Sequence, residues 1–296
     1  MQHRKSYLDP EVLARLSRLD LKAKLVVEGF MSGLHMSPYK GFSQEFVDYR
    51  QYMPGDEPKR IDWKAYSRTD RFYIKEYQEE TNLRAYLVLD TSGSMAYGKK
   101  ISKLEYAKYL TASLAYLFVR QKDSVGIATF DTRIRTLIPP SAKQTNFKHI
   151  LQTIEHAQPH GETALSNIML QLAQKIKRRG LVILISDLLD DPLQVIRALR
   201  SFKYRKHEIL VFHILDKDEE TFPFTVPAVF RDLEDNTEVT IEPRLIRDSY
   251  RKRFQQLIAS YHRSLLEAHI DHEIMYTVTP YDRALFRCLQ KRSKLP

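Results

Sequence analysis

Ala85-Tyr-Leu-Val-Leu-Asp90-Thr-Ser92-Gly-Ser94-Met95 is an apolar run of strand length that ends at a carboxylate and turns at once into hydroxyls and a glycine. Residues 86–89 show no polar alternation, the pattern of a strand buried on both faces. Asp90 then falls at the strand's carboxyl end, where open α/β sheets keep their ligand sites. Asp90, Ser92 and Ser94 offer three oxygens from one tight loop. Hard cations such as Mg²⁺ take oxygen ligands at about 2.0–2.1 Å and usually retain water, so carboxylate and hydroxyls at alternate positions suit one.

A second apolar strand, 181–185, ends in Ser186-Asp187. Between and beyond the two, strand and helix patterns alternate. Helices are predicted over 102–120, around Phe147 and Ile154, over 165–176, 191–202, 244–269 and 282–290, and strands over 125–130, 209–214 and 274–278. Asp131-Thr132 predicts a hairpin into an edge strand, 134–138, that stops at Pro139-Pro140. A second hairpin is predicted within 228–241, around Asp235-Asn236. Alternation of this kind gives an α/β fold, a doubly wound, mostly parallel sheet with helices on both faces and right-handed crossovers.

Ahead of this domain, assigned to residues 81–296 with a hairpin insert near 220–243, residues 1–80 read as an N-terminal helix and a small irregular β lobe. Asp9-Pro10 opens the helix, which is expected to run to about Gly29 with Leu13, Leu16, Leu19 and Ala23 on its buried face. Glycines, prolines and aromatics dominate the following stretch, with Pro54-Gly55-Asp56 as turn chemistry. The single tryptophan, Trp63, is either a plug joining the lobe to the next domain or an anchor for a partner.

The chain has 296 residues, 43% hydrophobic and 28% charged, enough for a sizeable core. Its longest apolar runs fall well short of the roughly 18 residues of a membrane helix, so no membrane span is expected. Met1-Gln-His-Arg-Lys-Ser leads into a charged segment and lacks a signal-peptide core. The one cysteine, Cys288, can form neither an internal disulfide nor a thiolate metal site. A cytoplasmic protein is expected. Net charge is +10, but the basic clusters at 175–179, 247–253 and 283–294 lie on or beside predicted helices. They lack the interleaved aromatics of a stacking platform, which argues against nucleic acid as the partner.

With its strand-end Asp90-x-Ser92-x-Ser94, a loop threonine before a helix, Thr163, and a second strand-end aspartate, Asp187, the chain resembles a von Willebrand factor type A domain with a metal-ion-dependent adhesion site. That resemblance implies a divalent cation held by Asp90, Ser92, Ser94, Thr163 and Asp187, Mg²⁺ first with Mn²⁺ or Ca²⁺ as alternatives. It also implies an acidic side chain of another protein completing the coordination. Gly93, Met95 and Glu162, beside the ligands, and Trp63 are the candidate partner contacts. Tyr52-Met-Pro54-Gly55-Asp56 with Ile61-Asp62-Trp63-Lys64, ahead of the Asp-Thr-Ser-Gly-Ser-Met run, further resembles the domain-of-unknown-function 58 family, as does the insert from Phe222-Pro223-Phe224 to Asp232-Leu233-Glu234. This implies a partner among MoxR-type AAA+ ATPases and an adaptor role without covalent chemistry.

Three rivals bear on the same residues. Gly93-Ser-Met-Ala-Tyr-Gly98-Lys99-Lys100 nearly spells a phosphate loop after a strand, but Lys100 stands where a hydroxyl is required. A metal-dependent phosphohydrolase would use His160 or Glu162 as base. A hydrogen-bonded turn without metal would account for Asp90-x-Ser-x-Ser alone, though not for Thr163 and Asp187.

Overall fold

The computed structural model describes residues 18–35, 49–51, 66, 72–75, 83–234 and 237–292. In chain order these form α1 (Leu19–His35), β1 (Tyr49–Gln51), β2 (Tyr73–Lys75), β3 (Arg84–Asp90), a 3₁₀ turn (Gly93–Ala96), α2 (Lys103–Arg120), β4 (Ser124–Phe130) and β5 (Ile134–Ser141). There follow α3 (Gln144–His156), α4 (Leu165–Lys175), β6 (Leu181–Ser186), α5 (Pro192–Tyr204), β7 (Glu208–Leu215) and α6 (Lys217–Thr221). The chain continues through β8 (Ala228–Arg231), β9 (Glu238–Ile241), α7 (Pro243–Glu267), β10 (Asp271–Tyr276) and α8 (Asp282–Arg292).

Six strands make one sheet in the order β10-β7-β6-β3-β4-β5. All neighbours are parallel except β4 and β5, as the alternation of strands and helices requires. Each central strand is buried along its length because successive side chains enter different cores. Ala85, Leu87 and Leu89 of β3 join Leu181, Ile183 and Ile185 of β6 beneath α2 and α8. Tyr86 and Val88 join Val182 and Leu184 against α4, α5 and Tyr261 of α7. Two covered faces explain the unbroken apolar runs.

Helix α1 contributes Leu19, Ala23, Val26, Val27 and Phe30 to the α2 face of the same core, and Lys22 Nζ donates to Tyr109 Oη at 2.6 Å. It passes Gly29, where the sequence reading stops it, and continues to His35. A mid-helix glycine costs about 1 kcal/mol relative to alanine, less than the packing of Val26, Val27 and Phe30 returns. Residues 9–17 of the expected helix, and the whole of 52–64 with Pro54-Gly55-Asp56 and Trp63, lie outside the described residues. β1 and β2 pair antiparallel, Tyr49 opposite Lys75.

Three boundaries differ from the sequence reading. β5 does not stop at Pro139-Pro140 but runs through both to Ser141. On an edge strand the missing N–H groups need no partner, and the ladder shifts register between Val125 and Ile127. Gly126 permits this, since a Cβ there would lie 2.4 Å from the Ile138 carbonyl oxygen. β10 begins at Asp271 and ends before Val278, because the Thr279 N–H turns back to the Tyr276 carbonyl at 2.7 Å. β8 and β9 form the expected hairpin. Among the described residues no helix is long and apolar enough to cross a membrane.

Two imidazoles meet between β7 and β10, His213 Nδ1 lying 3.2 Å from His272 Nε2. Burial pushes His213 down to about 3, helped by His272, and burial pushes His272 down to about 4, helped by His262. Both values lie below the unfolded one, so the native state refuses protons that the unfolded chain accepts. Their contribution is whole above about pH 6.5 and declines as pH falls toward 4. In urea denaturation, replacing His272 by Gln should therefore remove about 1 to 2 kcal/mol of the stability lost between roughly pH 7 and pH 5; an identical pH slope in the variant would contradict it.

Candidate metal centre

Leu89 of β3 is paired with Ile185 of β6, so the chain segments that follow, Asp90 and Ser186-Asp187, leave the sheet side by side. The strand order runs one way from β3 to β5 and the other way from β6 to β10. This reversal opens a crevice at the carboxyl ends of the central pair, the usual ligand position in such sheets. Asp90 and Asp187 are each only 1% exposed.

Hydrogen bonds fix the first loop. Thr91 N and Oγ1 both donate to the Phe130 carbonyl of β4, each at 2.8 Å. Asp90 Oδ1 accepts from Ser92 N at 2.9 Å and Oδ2 from Ser186 Oγ at 2.6 Å. Each carboxylate oxygen keeps a free lone pair. Ser92 Oγ and Ser94 Oγ lie 3.1 Å apart, so three oxygen-bearing side chains converge. Burial pushes the Asp90 carboxyl up to about 7, the Asp187 charge adds to this, and the bonds from Ser186 and Ser92 oppose it. The Asp90 carboxylate so placed lacks a positive charge of its own.

The second loop docks on the first. His160 N donates to the Thr91 carbonyl at 2.9 Å and Gly93 N to the Gly161 carbonyl at 2.8 Å. Gly161 takes φ +68°, a left-handed conformation suited to glycine. Thr163 follows, and its Oγ1 is buried without a hydrogen-bond partner among the described residues. Its N–H donates to Glu234 Oε2 at 3.2 Å, which brings the β8–β9 hairpin onto the site. There the Leu233 carbonyl oxygen lies so close to Gly93 that a Cβ would approach it to 2.3 Å. Burial pushes the Glu234 carboxyl up, with the Thr163 N–H and the Ser94 hydroxyl opposing.

Asp187 has a cation already. Lys103 Nζ, on a wholly buried side chain, donates to Asp187 Oδ2 at 2.7 Å and Glu219 Oε1 at 2.6 Å. Burial alone would lower the ammonium, but the charges of Asp187 and Glu219 outweigh it and raise it. Lys103 is therefore fully charged. Asp187 Oδ1 receives only a long 3.4 Å bond from Leu189 N.

These donors fit a hard divalent cation. Asp90, Asp187 Oδ1, Ser92, Ser94 and the orphaned Thr163 Oγ1 are all oxygen, and two carboxylates match the charge. Among the described residues no group of three or more His, Cys, Asp and Glu is placed to hold a metal ion, so the hydroxyls are essential to such a centre. Because Lys103 holds Asp187 Oδ2, Oδ1 is the less engaged oxygen of Asp187.

Other expected residues are placed differently. Met95 is wholly buried among the core side chains and presents no surface to a partner. Gly93 is buried and covered by Leu233. Adjacency to the serines predicts contact roles for both, but the 3₁₀ turn directs them inward. Glu162 is exposed, as is His160, while Trp63 lies outside the described residues. Lys99 of the near-miss phosphate loop pairs with Asp218 at 2.6 Å. Sequence reasoning missed Lys103, Ser186, Glu219 and Glu234 as members of the site. Ser186, adjacent to Asp187 at a strand end, carried a signal; the others depend on the fold.

The sequence profile described as Protein of unknown function DUF58 matches residues 48–263. The chain is 28% identical over 250 residues to the uncharacterized protein Rv1480 of Mycobacterium tuberculosis, covering 82% of this chain and 77% of that one. Identity to YeaD of Bacillus subtilis is 25% over 103 residues, 35% of this chain and 24% of that protein. In structure, 72% of the chain superposes on all of an aerotolerance-related membrane protein of Bacteroides fragilis, with TM-score 0.51 and 17% identity. The VWA domain of SpRpn10 is matched over 70% of this chain and 95% of that one, with TM-score 0.44 and 12% identity.

Removing one partner of a buried ion pair typically costs about 3–5 kcal/mol. Lys103→Met should thus lower stability by roughly 3 kcal/mol or more in urea denaturation, whereas Glu219→Gln, on the more exposed arm, should cost far less. Equal losses would show that Asp187 is not the partner that needs the charge.

Proposed function

The chain belongs to the family of proteins of unknown function DUF58, and from this premise we propose that it is a protein-interaction module whose docking requires a divalent cation. The cation is held by Asp90, Ser92, Ser94, Thr163 and Asp187, with Mg²⁺ the first choice, and the partner is a MoxR-type AAA+ ATPase. One observation carries the metal: Thr163 Oγ1 is buried beside the aspartate and serine loops with no partner among the described residues. Leaving a polar atom unsatisfied costs about 1–3 kcal/mol, and an oxygen-seeking cation removes that cost.

The protein's own residues set what such a site does. Ser92, Ser94 and Thr163 are neutral, and Lys103 offsets part of the Asp187 charge, so the ligands do not cancel a divalent cation's charge. Bound there, the cation supplies an electrophilic centre to which an acidic side chain of a partner can attach. Asp90 and Asp187 hold the ion, the hydrogen bonds from Ser186 and Ser92 orient Asp90, and the loop contacts at Gly161 and Thr91 fix the distance between hydroxyls. None of these residues is assigned covalent chemistry. The ATPase partner is supported by the resemblance of the Asp-Thr-Ser-Gly-Ser-Met run and the segments around it to that family.

Calorimetry of the full chain with a MoxR-type ATPase from the same cell, in Mg²⁺ and in chelator, tests this. Binding should weaken on the order of tenfold or more in chelator, and equally in Asp90→Ala or Asp187→Ala that remain folded by circular dichroism. Equal affinity in every condition would remove the site from the interaction.

A further inference from the structure

The face of the site opposite the sheet is occupied by the chain itself. Glu234 Oε2 accepts from Thr163 N at 3.2 Å, and Leu233 rests on Gly93. Glu234 Oε1 and Thr163 Oγ1 are both buried without a partner among the described residues. These two orphaned oxygens belong to residues already in contact, on loops 71 positions apart in sequence. A hydroxyl and a carboxylate oxygen left unsatisfied on two touching residues are both hard oxygen donors of the kind a divalent cation takes.

The segment is placed there by preformed packing. Phe222, Phe224 and Phe230 form a ring cluster at the base of the hairpin, with centroids 5.1 to 5.8 Å apart. Tyr250 of α7 packs on Phe222 at 4.5 Å, and Arg247 Nη2 donates to the Phe224 carbonyl at 2.6 Å. By contrast, the Glu234 side chain is held at the site by one 3.2 Å backbone bond and the Ser94 hydroxyl.

We infer that Glu234 is the internal acidic ligand of this site, a carboxylate of the chain that takes the coordination place of a partner's acid and must be displaced for the partner to dock. This rests on the cation reading above and adds to it a sixth residue and a competition. An unliganded site then exposes no open electrophile, and only an acid presented with further contacts exchanges with Glu234.

The test uses Mn²⁺ alone with the full chain, reading affinity by electron paramagnetic resonance and bound water by solvent-proton relaxation. Glu234→Gln keeps the shape and removes the charge. It should weaken Mn²⁺ on the order of tenfold, raise the relaxivity of each bound ion by admitting water, and make that relaxivity fall on adding acetate. In the unsubstituted chain acetate should have no effect. Unchanged relaxivity in Glu234→Gln, with Mn²⁺ binding still abolished by Asp90→Ala, overturns the internal ligand and leaves the cation site standing. Absence of Mn²⁺ binding by the unsubstituted chain overturns both.

Discussion

Parallel pairing of β3 with β6 is the constraint on which the site depends. It sets Leu89 beside Ile185 and so delivers two aspartates, 97 positions apart, to one crevice without either having to reach. The pairing is itself a consequence of hydrophobicity. Both strands are buried on both faces and have no place except the centre of a covered sheet. Reversal of strand order between them does the rest, because the crossovers leave in opposite directions and open a crevice at the carboxyl end.

Burying two carboxylates there is unfavourable, and the surrounding residues divide the remedy. Lys103 neutralises one oxygen of Asp187, and Glu219 shares that ammonium. Among the described residues Asp90 has no comparable cationic partner, only the Ser186 and Ser92 bonds, and its carboxyl is held far above the usual carboxylate range. A permanent cation on one side and a deficit on the other make an asymmetric site, in which the proposed divalent ion would relieve Asp90 more than Asp187. The fold thus supplies structural charge at Asp187 and leaves an unsatisfied oxygen at Thr163.

Much of this was legible before the fold was known. Unbroken apolar runs ending in Asp90 and Asp187 identified the central strands, and the spacing of Leu165, Ile168, Met169 and Leu172 identified the helix after Thr163. Hydroxyls at alternate positions identified the first loop. What escaped depends on long-range geometry. Lys103 reads as one more helix lysine until Asp187, 84 positions away, is seen 2.7 Å from its ammonium. Glu234 reads as a turn residue until the hairpin is folded onto Thr163. Met95 and Gly93 misled for the opposite reason, since adjacency to the serines suggests exposure and a 3₁₀ turn reverses it. Pro139-Pro140 suggested the end of the edge strand, yet an edge ladder can lose two donors and continue.

Anomalous diffraction from crystals of the full chain grown with Mn²⁺ tests the convergence of these loops on one ion most directly. The result expected is a single strong peak enclosed by Asp90, Ser92, Ser94, Thr163 and Asp187, with Lys103 still on the far oxygen of Asp187. Crystals with Mn²⁺ bound elsewhere and no peak among these five residues would contradict it.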